Sequence, residues 1–411
     1  MKSIRQHLAL ATCTLLSQHA GANAFENDWE VDSSLLSYQE ADDRVSVTKW
    51  IGDVQGKVSD NDTVRLKLVH DTMSGASPTG AVRSNNESVT FTSASGNSGF
   101  STGSAGGGSM AEFEDSRLGV NADWTHAWNS HTRTQYAASI SSENDYESLG
   151  GGLTVERDNA NRQTTYSAGL GLTNDSIFRS GGNDTPEPLA STATSQSLGK
   201  GERTSWDAIV GVSHILNRRT VGQVNLSYAR SSGYHTDPYK VISATDGVGN
   251  IVDTYHEHRP GERSRMSLYS KLAHKLNQSN NTLHTSYRLY QDDWNIRSHT
   301  LDAKFHMDFG KQRFLEPHAR LYKQTAAEFY QHHLGVDENV NVLVPEDGYV
   351  SADYRLDRFW SYAVGLKYGL PVGADGSLRL RAEYMAQTFA HSEFDTNTAV
   401  IMQASYKYVF Q

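Results

Sequence analysis

The chain has 411 residues, 37% hydrophobic and 20% charged, with 37 Lys+Arg against 47 Asp+Glu and a formal net charge of −10. A single cysteine excludes an internal disulfide framework and any Cys-based metal site. The acidic balance argues against a nucleic-acid partner, and no stretch approaches the ~20 apolar residues of a membrane-spanning helix.

Residues 1–24 begin with Lys2 and Arg5, continue through the apolar run Leu8–Leu16 and close on Ala22-Asn23-Ala24. A basic start, a short apolar core and a small-x-small ending make a secretory signal, with cleavage predicted after Ala24 and Phe25 as the new N-terminus. Cys13 leaves with that segment, as do two cations, giving 35 − 47 = −12 for the exported chain. Residues 25–411 are expected to be one domain. Its negative mean hydropathy does not separate a soluble sheet from an outer-membrane barrel, because every second barrel residue faces a polar lumen.

From the start of that domain the apolar period is two, not 3.6. Residues 29–38 and 44–57 alternate weakly, and Val64-Leu66-Leu68 clearly. Leu118-Val120-Ala122-Trp124 comes next, followed by weaker candidates at 132–143 and 148–158. Tyr166–Leu172, Trp206–Val212 and Val224–Tyr228 carry the pattern on, then Met266-Leu268, Leu283–Leu289 and Leu301–Phe309. Residues 313–325, Trp360–Tyr368 and Leu378–Tyr384 precede the last segment, Ala399–Gln411. Each is about ten residues, the length of a tilted membrane strand.

These segments predict an all-β, antiparallel, up-and-down transmembrane barrel of about 16 strands, within about 14–18. Tight connections at 129–131, 159–162, 217–219, 277–281 and 310–312 hold Asn or Gly, whereas 73–116, 174–204, 231–262 and 326–358 are long. With the last strand ending in the periplasm, every long connection falls on the extracellular side and the tight ones on the periplasmic side. Tyr406, Tyr408 and Phe410 resemble a C-terminal barrel-assembly signal, departing from it only in the Gln411 that follows. The implied partners are outer-membrane lipid and lipopolysaccharide, the barrel-assembly machinery and small solutes.

The predicted wet faces are rich in charge. Asp302, Lys304, His306 and Asp308 share one strand; Glu316, His318, Arg320, Tyr322 and Gln324 the next; Arg379, Arg381 and Glu383 a third. The loop "SASGNSGFSTGSAGGGS" (Ser93–Ser109) is low in complexity and lacks the Gly-Lys-Ser/Thr ending of a phosphate cradle. Asp237, Tyr239, Lys240, Arg259, Arg263, Arg265, Arg288, Asp292, Asp293, Trp294, His299, Arg320 and Tyr322 form the candidate rim and lumen cluster. Arg259, Arg263 and Arg265 read as a rim ion-pair network or as an anion contact. His256 with His258, and His332-His333 with Glu328, offer too few fixed ligands for a metal site. No Ser or Asp lies in a nucleophile motif, so neither an enzyme nor a cofactor is expected.

"LKLVHDTMSGASPTGA" (Leu66–Ala81), "GYHTDPYK" (Gly233–Lys240), "HEHRPGERSR" (His256–Arg265), "YRLYQDDWNIRSHT" (Tyr287–Thr300) and "ADYRLDRFW" (Ala352–Trp360) together carry a resemblance. The chain resembles the Gram-negative outer-membrane barrel family labelled domain of unknown function 3570. That resemblance implies a surface barrel and no particular reaction or catalytic residue. The expected role is a porin-like pore for small solutes or an export conduit. The alternative is a non-conducting barrel that scaffolds periplasmic or surface partners. The few residues before the first strand leave no room for the plug of an energised receptor, and oligomeric state is not encoded in any motif.

Overall fold

The computed structural model describes residues 29–42, 44–82, 91–92, 98–99, 110–179, 184–246, 248–276 and 280–410. The expected signal segment with Ala24 and Phe25, and all but Ser98 and Gly99 of the low-complexity loop, lie outside them.

Alternation decides the architecture. Sixteen antiparallel strands close into one barrel. In chain order they are β1 (Trp29–Glu40), β2 (Val45–Lys57), β3 (Asp62–Pro78), β4 (Met110–Asn129), β5 (Thr132–Glu143), β6 (Tyr146–Asp158), β7 (Thr164–Ile177) and β8 (Gly201–Asn217). The ring continues with β9 (Thr220–Gly233), β10 (Glu262–Lys275), β11 (Thr282–Asp292), β12 (Arg297–Asp308), β13 (Phe314–Gln324), β14 (Phe359–Val372), β15 (Gly376–Phe389) and β16 (Thr396–Phe410). All sixteen predicted segments are present. β16 returns to β1, with Phe410 opposite Trp29 and Ala399 opposite Glu40, so the sheet has no open edge.

The apolar set points outward. Leu170 and Leu172 are each 64% exposed, Leu149 62% and Met402 59%, a pattern that a water-soluble sheet does not sustain around its whole circumference. Trp124, Tyr136, Tyr166, Tyr368 and Phe410 sit on the outward face toward one end, and Trp206, Tyr228, Trp360 and Tyr384 toward the other. Leu, Val and Ile fill the band between, the arrangement of a barrel with two interfacial girdles.

The strands run longer than the apolar alternation predicts, reaching 17 residues in β3 and 20 in β4. Beyond the apolar band both faces are polar, so hydrogen bonding continues where alternation has already ended. The long connections (79–109, 178–200, 234–261 and 325–358) all share one end of the barrel, as expected. That loop end also has four short connections, 41–44, 144–145, 293–296 and 390–395, so tight turns are not confined to the opposite, turn end.

The loops form a lid of their own. Val241–Thr245 pairs antiparallel with Ile251–His256 and parallel with Leu334–Gly335. Ile242, Ala244, Leu334, Val350 and Ala352 make its apolar centre. Trp294, Ile296, Ala327, Phe329 and Leu356 form a second cluster, joining the lid to the 293–296 turn. Phe359, Phe389 and Phe394 form a third, with Tyr322 and Tyr354 against them. Residues 79–82 enter from another side: the Val241 N–H donates to Thr79 O at 2.9 Å and the Val82 N–H to Ser243 Oγ at 3.1 Å. Gly80 lies between at φ +99°, where an added Cβ would collide with the Val241 carbonyl.

Candidate functional site

Three charged layers follow one another from the lid into the barrel. The first is inside the lid. Arg355 donates to Asp237 at 2.6 Å and to Asp353 at 2.5 Å. Arg259 reaches Asp353 at 2.8 Å and Glu257 at 2.7 Å. Glu257 also accepts from the Asp237 N–H at 2.8 Å and from the Ser351 hydroxyl. Lys240 donates to the Pro78 carbonyl and lies 5.9 Å from the Tyr354 ring. Three acids face three bases, and Glu257, Asp353 and Lys240 are all buried.

Burial works to raise the acids of this layer, but Arg355, Lys240 and Arg259 outweigh it at Asp237 and hold it down to about 2. Arg355 and Arg259 likewise keep Asp353 well below the usual carboxylate range. Glu257 goes the other way: burial pushes it up against the pull of Arg259.

The second layer lines the barrel wall under the lid. Arg203 of β8 pairs with Asp175 of β7 at 2.7 Å, and Arg263 of β10 with Asp292 of β11 at 2.5 Å. Arg263 stacks over Trp294, its guanidinium carbon 4.0 Å from the ring centroid. His235 descends from the lid, its Nε2 2.7 Å from Ser231 Oγ and its Nδ1 2.9 Å from Gly233 O. This hydroxyl–imidazole pair makes a poor nucleophile–base couple. Ser231 is 2% exposed, and burial, with Arg203, Arg263 and Arg265 nearby, pushes His235 down to about 3.

The third layer is the mid-lumen belt on β12 to β15 and β1. His318 bridges Asp302 at 2.7 Å and Glu383, which also takes Arg381. Arg379 pairs with Asp32 at 2.5 Å and Lys367 with Glu316 at 3.8 Å. Gly365 makes room for this belt, since a Cβ there would strike the Glu383 side chain. Lys304 and Arg320, on inward positions of β12 and β13, are exposed.

The candidate residues separate accordingly. Asp237, Lys240 and Arg259 meet inside the lid. Tyr239 stands beside them, donating to Asp145, with Arg179 5.8 Å from its ring. Arg263, Arg265, Asp292 and Trp294 share the wall beneath; Asp293 is in the exposed turn and accepts from the Ser264 N–H at 2.8 Å. Arg288 faces inward, 5.4 Å from the Tyr269 ring, and Arg320 lies opposite Asp302. Tyr322 packs against Phe359 and donates to Gln324 at 2.7 Å. His299 is apart from all of them, on the outward face with Tyr287 Oη at 2.6 Å. Tyr406, Tyr408 and Phe410 lie on the closing strand, Tyr408 and Phe410 edge to face at 4.7 Å.

The histidine pairs also part. His258 Nδ1 lies 2.8 Å from Gly348 O, while His332 engages Glu393 at 2.8 Å and Glu328 takes Asn295 instead. Asp115, Glu143 and Asp145 bring three carboxylates within 4.8 Å, beside Arg117, which lies 3.7 Å from Glu143. Glu257, Asp353 and Arg355 are absent from the sequence candidates. Arg355 and Asp237 are 118 positions apart, and no local pattern joins them.

Comparisons with solved structures return barrels. The CymD monoaromatic hydrocarbon channel is 6% identical, covering 94% of this chain and 90% of its own, at TM-score 0.43. The toluene transporter TodX of P. putida is 10% identical, covering 95% and 91%, at TM-score 0.39. The siderophore receptor PirA of Acinetobacter baumannii is 11% identical at TM-score 0.43, and the chain spans about half of it, 54%, while 89% of this chain is covered. Overlap of this extent carries no functional information. No curated protein matches the chain. A family model does match, over residues 5–407, and the chain therefore belongs to the family described as Protein of unknown function (DUF3570).

Proposed function

We propose that this protein is an outer-membrane barrel of a Gram-negative cell that passes small solutes, with the folded lid at the cell surface as its gate. The exposed Lys304 and Arg320 carry the reading. They are inward-facing charges inside a closed cylinder, reached by water, and a filled barrel would have buried them. The apolar band, the two girdles and the edge-free ring support a bilayer as the surroundings. Export of a solute from the periplasm uses the same path in reverse.

The lid's balanced, buried charge network favours a second reading, a shut barrel that serves surface or periplasmic partners without conducting. Planar-bilayer recording separates the two. Purified, refolded protein is compared with the Arg355→Ala variant, both verified as folded by heat-modifiable gel migration. The pore reading expects conductance steps that become more frequent in the variant. Silence from both defeats it.

A further inference from the structure

We infer that Arg265 anchors a binding site for a small oxyanion, a carboxylate or phosphate group, on the lumen wall beneath the lid. The two arginines beside it are satisfied: Arg203 by Asp175 and Arg263 by Asp292. Arg265 is not. It is 8% exposed, its Nε is shut off from water with no partner, and among the described residues its side chain makes no hydrogen bond or ion pair. In β-sheet register it stands opposite Asp292, but that carboxylate already holds Arg263 at 2.5 Å and accepts from Tyr290 Oη at 2.8 Å.

Asp207 stands in the same row two strands away, with Ala229 between them. Two strand spacings are about 10 Å, and the alanine methyl fills little of that gap. The row thus sets a guanidinium and a carboxylate on either side of a small residue, with the Asp207 carboxylate lying over Gly171 of β7. An unpaired guanidinium removed from water is costly, and its planar donor fork matches a carboxylate or phosphate edge. Lipid is not a source, because this row faces the lumen, opposite to the outward Met266 and Tyr228. The site stands whether or not the barrel conducts.

Thermal unfolding of the full chain, folded in detergent, tests this with inorganic phosphate, succinate and chloride as separate probes. A saturable rise in the unfolding midpoint with phosphate or succinate, weakened about ten- to a hundredfold in Arg265→Gln, is the expected result. Arg265→Gln also unfolds no lower than wild type without added anion, since it removes an unpaired charge. Asp207→Asn binds the same probe as tightly or more tightly, its competing carboxylate being gone. An unchanged response in Arg265→Gln overturns the assignment, as does a wild type that responds to chloride alone or to nothing. A loss of binding in Asp207→Asn equal to that in Arg265→Gln also overturns it, because the two are then a water-bridged ion pair.

Discussion

Two groups of buried charge lie at the same end of the barrel and differ in their arithmetic. In the lid, Asp237, Glu257 and Asp353 meet Lys240, Arg259 and Arg355, and every member has a partner. On the wall below, Arg203, Arg263 and Arg265 meet Asp175 and Asp292 in contact, and one guanidinium is left over. A balanced buried network adds little net stability but fixes which loops dock and where, because any other arrangement strands a charge. An unbalanced one has no such closure and points to a component from outside. The first group therefore belongs to the lid's architecture and the second to what the lumen holds.

The largest test of that contrast is Arg355→Ala, which leaves Asp237 and Asp353 buried with a lost partner. We expect the lid to lose about 3–5 kcal/mol, with the β-barrel itself intact. Limited proteolysis then cuts within 325–358 and 234–261 in the variant and spares them in wild type. Equal protection would mean that the apolar clusters alone seat the lid. Gly80→Ala follows, at about 1–3 kcal/mol, since the left-handed φ and the approach of the Val241 carbonyl both oppose a Cβ. The same proteolysis, now with cuts at 79–82, reads it.

The barrel was far more legible in the sequence than the lid, for a physical reason. An outward face against hydrocarbon must be apolar at every second position, so Leu118-Val120-Ala122-Trp124 or Trp360–Tyr368 announces itself. Alternation also placed the inward belt, from Asp302 to His318, because cross-strand neighbours follow from period two. The lid obeys no such rule. Val241-Ile242-Ser243-Ala244-Thr245 is buried at every position, so alternation is silent there. A β-branched, apolar pentapeptide ending at the Asp246–Asn250 turn was the available signal. The pairing of Asp237 with Arg355 had none, since loop docking across the mouth is set by tertiary packing. His299 shows the converse: histidine is read as a lumen group by its polarity, yet period two with Leu301 puts it on the outward face.

A smaller effect concerns Asp145, in the 144–145 turn where the lid's Tyr239 meets the wall. Burial, then Asp115, Glu143 and Asp237, raise it to about 7, against the hydrogen bond from Tyr239. Its folded pKa is above the ordinary value near 3.9, so the native state holds the proton more tightly. The stabilising contribution is full below about pH 4 and is lost as pH rises through about 7. Asp145→Asn removes that dependence. Allowing for partial solvent access, we expect it to add about 1–2 kcal/mol at pH 8 and almost nothing near pH 4. Unfolding midpoints across that range check it. Asp237 supplies the contrast: its folded value of about 2 lies below the ordinary one, so its contribution is present above about pH 4 and fails only as pH falls toward 2. Mild acid should therefore leave the Asp237–Arg355 pair of the lid intact.

The smallest stability effect, and the sharpest probe of the lumen, is Lys304→Gln combined with Arg320→Gln. Both side chains are exposed, so their removal should shift stability by no more than about 0.5 kcal/mol. Their charge nevertheless acts on whatever moves past them, because the cylinder wall confines the field. On the same stretch of wall, Lys367, Arg379 and Arg381 are buried more deeply against Glu316, Asp32 and Glu383, while Lys304 and Arg320 flank Asp302 from exposed positions. Removing the two exposed cations lowers the anion preference of any current, measured as a reversal potential moving toward cation selectivity in a salt gradient. A conducting barrel whose reversal potential ignores the double substitution would place the path elsewhere. The inward belt would then be filler, and the contrast between lid and lumen would rest on Arg265 alone.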